Sequence, residues 1–379
     1  MLKRYHCQCG NPIFFRNSTC LACDTPLGYD SDLGLLIAIQ PGSLEGTWER
    51  FEAISPAPQP FEPLSIQTGK QYRRCANLPT TAACNWLIDE AQPLANTFCL
   101  ACSLNRTIPD LSDPAHPENS MYWGRIELAK RRMLAGVLGL GLRVASKFED
   151  AAAGLAFDLV SNQPGTNAVL TGHDSGLITL NLQEADDAAR ESIRSAMHEP
   201  YRTLLGHFRH EIGHYFWDRL VQHSDWLVEF RQLFGDESQD YAASLQKNYT
   251  YGPPENWRLN FISSYASTHP WEDWAETWAH YLHMRDTLDT AGSLGLTMNA
   301  ASLEFTPFTD AALSDPQDIT AASFLTLLNE WTGLTVLLND MNRTMGQPDF
   351  YPFALPGPAV AKLHFVHRVI DAAGGATSS

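Results

Sequence analysis

Apolar positions three and four apart between residues 122 and 138 put Ile126, Met133 and Val137 on one face, predicting a helix over Tyr122–Leu138. The same spacing joins Leu204, Phe208, Ile212 and Tyr215, in a helix expected to follow "HEP" with Pro200 in its first turn. Helices are also predicted from Pro270 to about Arg285, from Ala321 to about Met341 and from Pro358 to about Ile370. A different rhythm holds earlier. "LGLLIAI" (Leu33–Ile39), "AGLAFDLVS" (Ala153–Ser161) and "GLITLNL" (Gly176–Leu182) are short apolar runs, the last following the turn signal "GHDSG", and they read as strands. Strands gather ahead of helices rather than alternating with them, which indicates an α+β fold.

Proline and polar residues punctuate this pattern. "SPAPQPFEP" (Ser55–Pro63) reads as a connection, and "PDLSDPAHPENS" (Pro109–Ser120) as a domain boundary. The expected organisation is a cysteine module over residues 1–30, a β-rich region with a second cysteine module over 31–111, a larger domain over 112–373 and a frayed tail, "GGATSS", over 374–379.

All eight cysteines lie in the first 102 of 379 residues, in two sets of four that each end in "CLAC". Cys7, Cys9, Cys20 and Cys23 resemble a zinc ribbon opened by C-x-C; Cys75, Cys84, Cys99 and Cys102 form a looser set. A C-x-x-C turn lets two thiolates grip one tetrahedral zinc, and the second pair completes it. The N-terminus has no apolar segment of the signal-peptide kind. A cytoplasmic location is therefore expected, where such sets bind metal rather than form disulfides. A net charge of −17 argues against nucleic acid and anionic lipid as partners. The apolar stretch "MLAGVLGLGLRVA" is too short to span a bilayer, so no membrane partner is expected.

The chemistry concentrates in "GHFRHEIGHYFWD" (Gly206–Asp218). Positions i and i+4 share a helix face, so His210 and His214 can hold one metal ion. Glu211 sits about 100° round the helix, beside the ion, where a general base takes a proton from an attacking water. A hydrolase needs a third protein ligand and an open fourth position. The metzincin extension is excluded, because Trp217 and Leu220 stand where it requires Gly and His. "HPWEDWAETWAHYLH" (His269–His283) offers Glu272 and Glu276 on one face of a later helix. The first can ligate zinc, and the second, one turn on, can hydrogen-bond a ligand histidine. Acidic residues in a first turn also complement a helix dipole, but alongside the histidine pair the ligand reading is preferred. His207, His280 and His283 are expected in supporting or core roles.

These motifs, with "FCLACSLNRTIPDLS", "GHDSGLITLNLQEADD" and "GQPDFYPFAL", resemble the gluzincin branch of the zincin metallopeptidases. More narrowly they resemble bacterial zinc-binding metallopeptidases that carry an N-terminal zinc ribbon. The resemblance implies a zincin-like domain with a small mixed sheet and an active-site helix, one catalytic and two structural zinc ions, and a peptide or protein substrate. It makes Glu272 the third ligand and Glu276 its hydrogen-bonded supporter. Tyr265, seven residues before Glu272, matches the tyrosine that reaches the scissile carbonyl in lethal-factor-like gluzincins. Two other readings stand beside this one. A zincin fold can persist as a binding scaffold without turnover. Zinc-ribbon modules can also recruit nucleic acid or protein, the protein partner being the more compatible with the acidic balance.

Overall fold

The computed structural model describes residues 4–51, 69–161, 171–191, 203–296 and 304–375. The Pro-rich connection expected at 55–63 and Pro200 lie outside the described residues. The fold is α+β with a helical C-terminal half, and contacts divide it into two compact units. The first holds Met1–Gly139, Arg143–Gly172 and Gly176–Asp187; the second holds Leu140–Leu142, His173–Ser175 and Ala188–Ser379.

In the first unit, strands β1 (Tyr5–His6) and β2 (Pro12–Ile13) form a hairpin. An antiparallel meander follows: β3 (Leu27–Asp30), β4 (Leu35–Pro41), β5 (Trp48–Arg50), β6 (Gln71–Arg74) and β7 (Leu87–Asp89). Ile37, Ile39, Tyr72 and Leu87 form a cluster with the half-buried Trp48 packed against it. The short helix α1 (Leu100–Ser103) carries the last two cysteines on and just before it, and leads into β8 (Asn105–Thr107). Helix α2 (Asn119–Gly139) buries Ile126, Met133 and Val137 as the sequence spacing requires. After it, β9 (Ala156–Val160) pairs in parallel with β8 and with β11 (Leu177–Asn181); the short strand β10 (Gly172–Asp174) precedes β11 in the chain.

The boundary expected at residue 112 falls inside this unit. Lys130 of α2 bonds Asn105 beyond the cysteines, and Arg131 donates to the Ala82 carbonyl at 2.7 Å. Gly124 allows the close approach: a Cβ there would stand 2.5 Å from the Thr81 carbonyl oxygen.

The second unit is helical: α3 (Leu204–Leu220), α4 (Trp226–Phe234), α5 (Tyr241–Tyr251), α6 (Pro270–Ser293), α7 (Ala321–Thr344) and α8 (Gly357–Gly375). Thr203 caps α3 by accepting from the Gly206 amide at 2.9 Å. His269 caps α6 through the Trp271 amide, with Pro270 in the first turn where its missing N–H leaves no bond unmade. Helix α6 runs past the predicted Arg285 because nothing in "DTLDTAGS" breaks it before Gly295, whose φ of +77° ends the turn. Gly374 and Gly375 complete α8, so the expected tail begins inside a helix. Helix α7 is long and apolar enough, by length and composition alone, to cross a membrane. It buries Phe324, Leu327, Leu328 and Trp331, as a core helix does.

Helices α3 and α6 pack closely, and one residue explains how. Gly213 lies between the two histidines of α3, where a Cβ would stand 3.2 Å from Ala275 Cα and from the Trp278 ring. Trp274 Nε1 donates to the Gly213 carbonyl at 2.8 Å, and Phe216 stacks on Trp278 at 5.1 Å between centroids. The Asp273–Lys362 pair, 2.6 Å and buried, ties α6 to α8.

Candidate metal centre

Among the described residues, three groups bring potential ligand atoms within 4.8 Å of one another: the two cysteine sets, and His210, His214 and Glu272. They suggest three zinc sites.

In the first set, Cys7 and Cys23 sulfurs are 3.6 Å apart, and Cys9 and Cys20 sulfurs 3.8 Å. In the second, Cys84 and Cys99 are 3.5 Å apart. A disulfide requires about 2.05 Å, whereas four thiolates around zinc at about 2.3 Å stand roughly 3.8 Å apart. The spacing fits the ion. Gly10, at φ +84°, turns the first knuckle so that its amide donates to the Cys7 carbonyl at 2.8 Å. The Thr25 hydroxyl, 3.1 Å from Cys23 Sγ, favours the thiolate and brings that pKa down to about 6. Cys9 and Cys23 are exposed, while all four members of the second set are buried.

The third group is built by α3 and α6. One helical turn separates His210 from His214, and their Nε2 atoms lie 3.2 Å apart. Glu272, in the first turn of α6, brings Oε2 to 2.9 Å from His210 Nε2 and 3.6 Å from His214 Nε2. Tetrahedral ligands at about 2.0–2.1 Å from zinc stand roughly 3.4 Å apart, so these distances fit. The donor chemistry fits as well. His210 Nδ1 faces Glu276 Oε1 at 2.8 Å, which fixes the proton there and leaves Nε2 a lone pair. Glu272 Oε2 is buried and faces the Nε2 nitrogens of both imidazoles. Lone pairs converging on one point need a cation between them.

The local field favours one. Burial disfavours a charged His210, but the Glu272 and Glu276 carboxylates outweigh it and hold its pKa well above the usual imidazole value. Burial likewise opposes a charged Glu272, but His214 and His210 hold its carboxyl well below the usual range.

The surrounding groups are ordered. Ser263 Oγ donates to Glu276 Oε2 at 2.6 Å and accepts from the Ala266 amide at 3.1 Å, so Glu276 is held at both oxygens. Tyr241 Oη donates to Glu272 Oε1 at 2.5 Å. Trp271 lies 3.8 Å from His214 between ring centroids. Tyr265 sits on a 3-10 turn, its ring 5.9 Å from His210. Glu211 is buried, and its charge acts on both tyrosines. Burial first, and then the nearby carboxylates, hold both phenols protonated far above the usual pKa.

Of the other histidines, His280 meets the Tyr351 hydroxyl at 2.8 Å and His283 meets Arg209 at 2.6 Å, away from the three ligand atoms. Sequence reasoning missed Tyr241, Ser263, Trp271 and Gly213. Trp271 adjoins Glu272 and was within reach; Tyr241, 31 residues earlier, carries no pattern that points to the site.

Residues 119–369 match the family described as "Putative zinc-binding metallo-peptidase", and residues 4–113 match a zinc-ribbon domain. The chain belongs to this metallopeptidase family. Uncharacterized proteins of Mycobacterium tuberculosis and Mycobacterium bovis are 40% identical to it over 372 residues, covering 98% of this chain and 96% of theirs. No solved structure is significantly similar. The metallopeptidase match contains the whole His210, His214 and Glu272 group, and the zinc-ribbon match contains both cysteine sets.

Proposed function

We propose that the chain is a gluzincin-type zinc peptidase, with His210, His214 and Glu272 as ligands and Glu211 as general base. The observation that supports this most is the convergence of three buried ligand atoms on one point, with Glu211 on the same helix beside them. Zinc held there supplies Lewis-acid polarisation of the scissile carbonyl and a nucleophilic water at neutral pH.

The chain's own residues do the rest. Glu211 takes a proton from the attacking water and passes it to the departing amine nitrogen. Glu276 orients the His210 ring through Nδ1 and is itself held by Ser263. Tyr265, close to His210 and held protonated, is positioned to donate to the oxyanion that develops on the carbonyl. The two cysteine sites are structural zinc sites, and the module they form is available to a protein partner.

An unbiased peptide-library digest with the zinc-loaded full chain tests this. Cleavage is expected that stops with chelator and with Glu211→Gln. A loaded parent chain that cuts nothing in the library would leave a metal-binding scaffold in place of a peptidase.

A further inference from the structure

The two oxygens of Glu272 have different surroundings. Oε2 faces the two histidines, and Oε1 accepts the Tyr241 hydrogen bond at 2.5 Å, the length of a strong charge-assisted bond. We propose that Tyr241 is a positioning residue for the metal centre: by occupying Oε1 it confines Glu272 to single-oxygen ligation and keeps the fourth coordination position open. This rests on the metallopeptidase reading of the site.

The surroundings of Tyr241 support the assignment. It is the first residue of α5, which Asp240 caps by accepting from the Ala243 amide at 2.9 Å. No residue of α5 is buried, so the helix adds little to a core. Tyr241 itself is 36% exposed, and its ring meets His269 and Trp271 edge-on at 5.3 and 5.8 Å. The segment is tied to the start of α6 again by His269, whose Nε2 lies 3.2 Å from the Gln239 carbonyl. These contacts aim one phenol at one carboxylate oxygen from a helix that is otherwise solvated. A carboxylate released at Oε1 is free to turn both oxygens toward the metal, and the open position that water or substrate needs is then filled.

The test uses the full chain with its cysteine sites loaded. Competition against a graded series of chelators is expected to show the third-site metal held about 10–100-fold more weakly in Tyr241→Phe than in the parent. The cysteine-site metal and the melting point of the chain lacking third-site metal should stay at parent values. Cobalt(II) placed at the third site reports coordination directly: its visible bands should change in Tyr241→Phe as the second Glu272 oxygen takes the position that water holds in the parent. Tyr251→Phe, on the same helix and 81% exposed, should leave every readout unchanged. A Tyr241→Phe protein with parent metal affinity and the parent cobalt spectrum overturns the proposal and leaves the site intact. A parent chain with no third-site metal, or one whose metal survives His214→Ala, overturns the reading of the site itself, and Tyr241 falls with it.

Discussion

Replacing Gly213 with alanine probes the junction on which the ligand geometry depends. The new methyl would begin 3.2 Å from Ala275 Cα and from the Trp278 ring, where carbon atoms prefer about 3.5–4.0 Å. Helices α3 and α6 must therefore separate by a few tenths of an ångström. Overpacking of this kind costs about 1–3 kcal/mol, while the gain in helix propensity over glycine returns about 1 kcal/mol. The expected net effect is a loss of up to about 2 kcal/mol. His210 and His214 flank Gly213, and Glu272 and Glu276 flank Ala275, so the same displacement widens the ligand triangle. That displacement approaches the roughly 0.5 Å that functional geometry tolerates, so a loss of zinc affinity at this site of no more than about tenfold is expected. Thermal melts with and without zinc, read beside chelator competition, measure the two effects separately. Gly292→Ala on α6 is the control: nothing lies within 4 Å of its added methyl, so stability should hold or rise slightly. A Gly213→Ala protein that melts no lower than the parent and holds zinc as tightly would refute the close-packing argument.

Elemental analysis of protein purified without chelator should find three zinc ions per chain; one or fewer would remove the structural assignment of the cysteine sets. Glu276→Ala should weaken third-site zinc by about 10–100-fold and Glu272→Ala by more, and the reverse order would exchange their roles. Glu211→Gln should keep its zinc while turnover falls at least 10²–10⁴-fold, since the amide cannot accept the proton; parent-rate cleavage would falsify the mechanism. Burial pushes His364 and His367 down to about 4, so the unfolded chain binds more protons than the folded one between about pH 6.5 and 4. Stability should therefore be lost as the pH is lowered through that window, by on the order of 1.4 kcal/mol per unit for each group. Urea titrations of His364→Gln, His367→Gln and the parent across the window would show whether those residues carry the slope.

How much of this the sequence carried depends on the range of the interaction. His210 and His214 are one turn apart, and a 3.6-residue period places them on one face before any fold is known. The cysteine sets are equally local at their CLAC ends. Glu272 was reachable only because its helix carries its own pattern, the i,i+4 pair with Glu276. Tyr241 and Ser263 act on single oxygen atoms from segments without periodicity, and nothing at their own positions marks them. Gly213 reads as a tolerated glycine inside a helix until Ala275 and Trp278 are brought against it. Helix α5 buries nothing, so hydrophobic spacing gave no reason to expect it.

The placement of α2 has a consequence for how this protein can be divided. The two family matches part between residues 113 and 119, so inheritance draws a line there. Folding draws no such line. Beyond it, α2 carries Glu127 and Lys130, both 0% exposed and 2.7 Å apart, and both share the Asn105 side chain. Cys102 Sγ lies 3.9 Å from Glu127, and the Thr81 hydroxyl donates to the Ser120 carbonyl. A chain begun at Asn119 would keep the metallopeptidase match but leave that charged pair without Asn105 and Arg131 without the Ala82 carbonyl. Leaving buried charged and polar groups without partners costs about 1–3 kcal/mol each, and more for a charge. Such a fragment should aggregate or melt without cooperativity, and a soluble 119–379 chain with a sharp thermal transition would contradict this. The N-terminal module is then less an appendage to the metallopeptidase-family region than a cofolding partner of that region's own first helix.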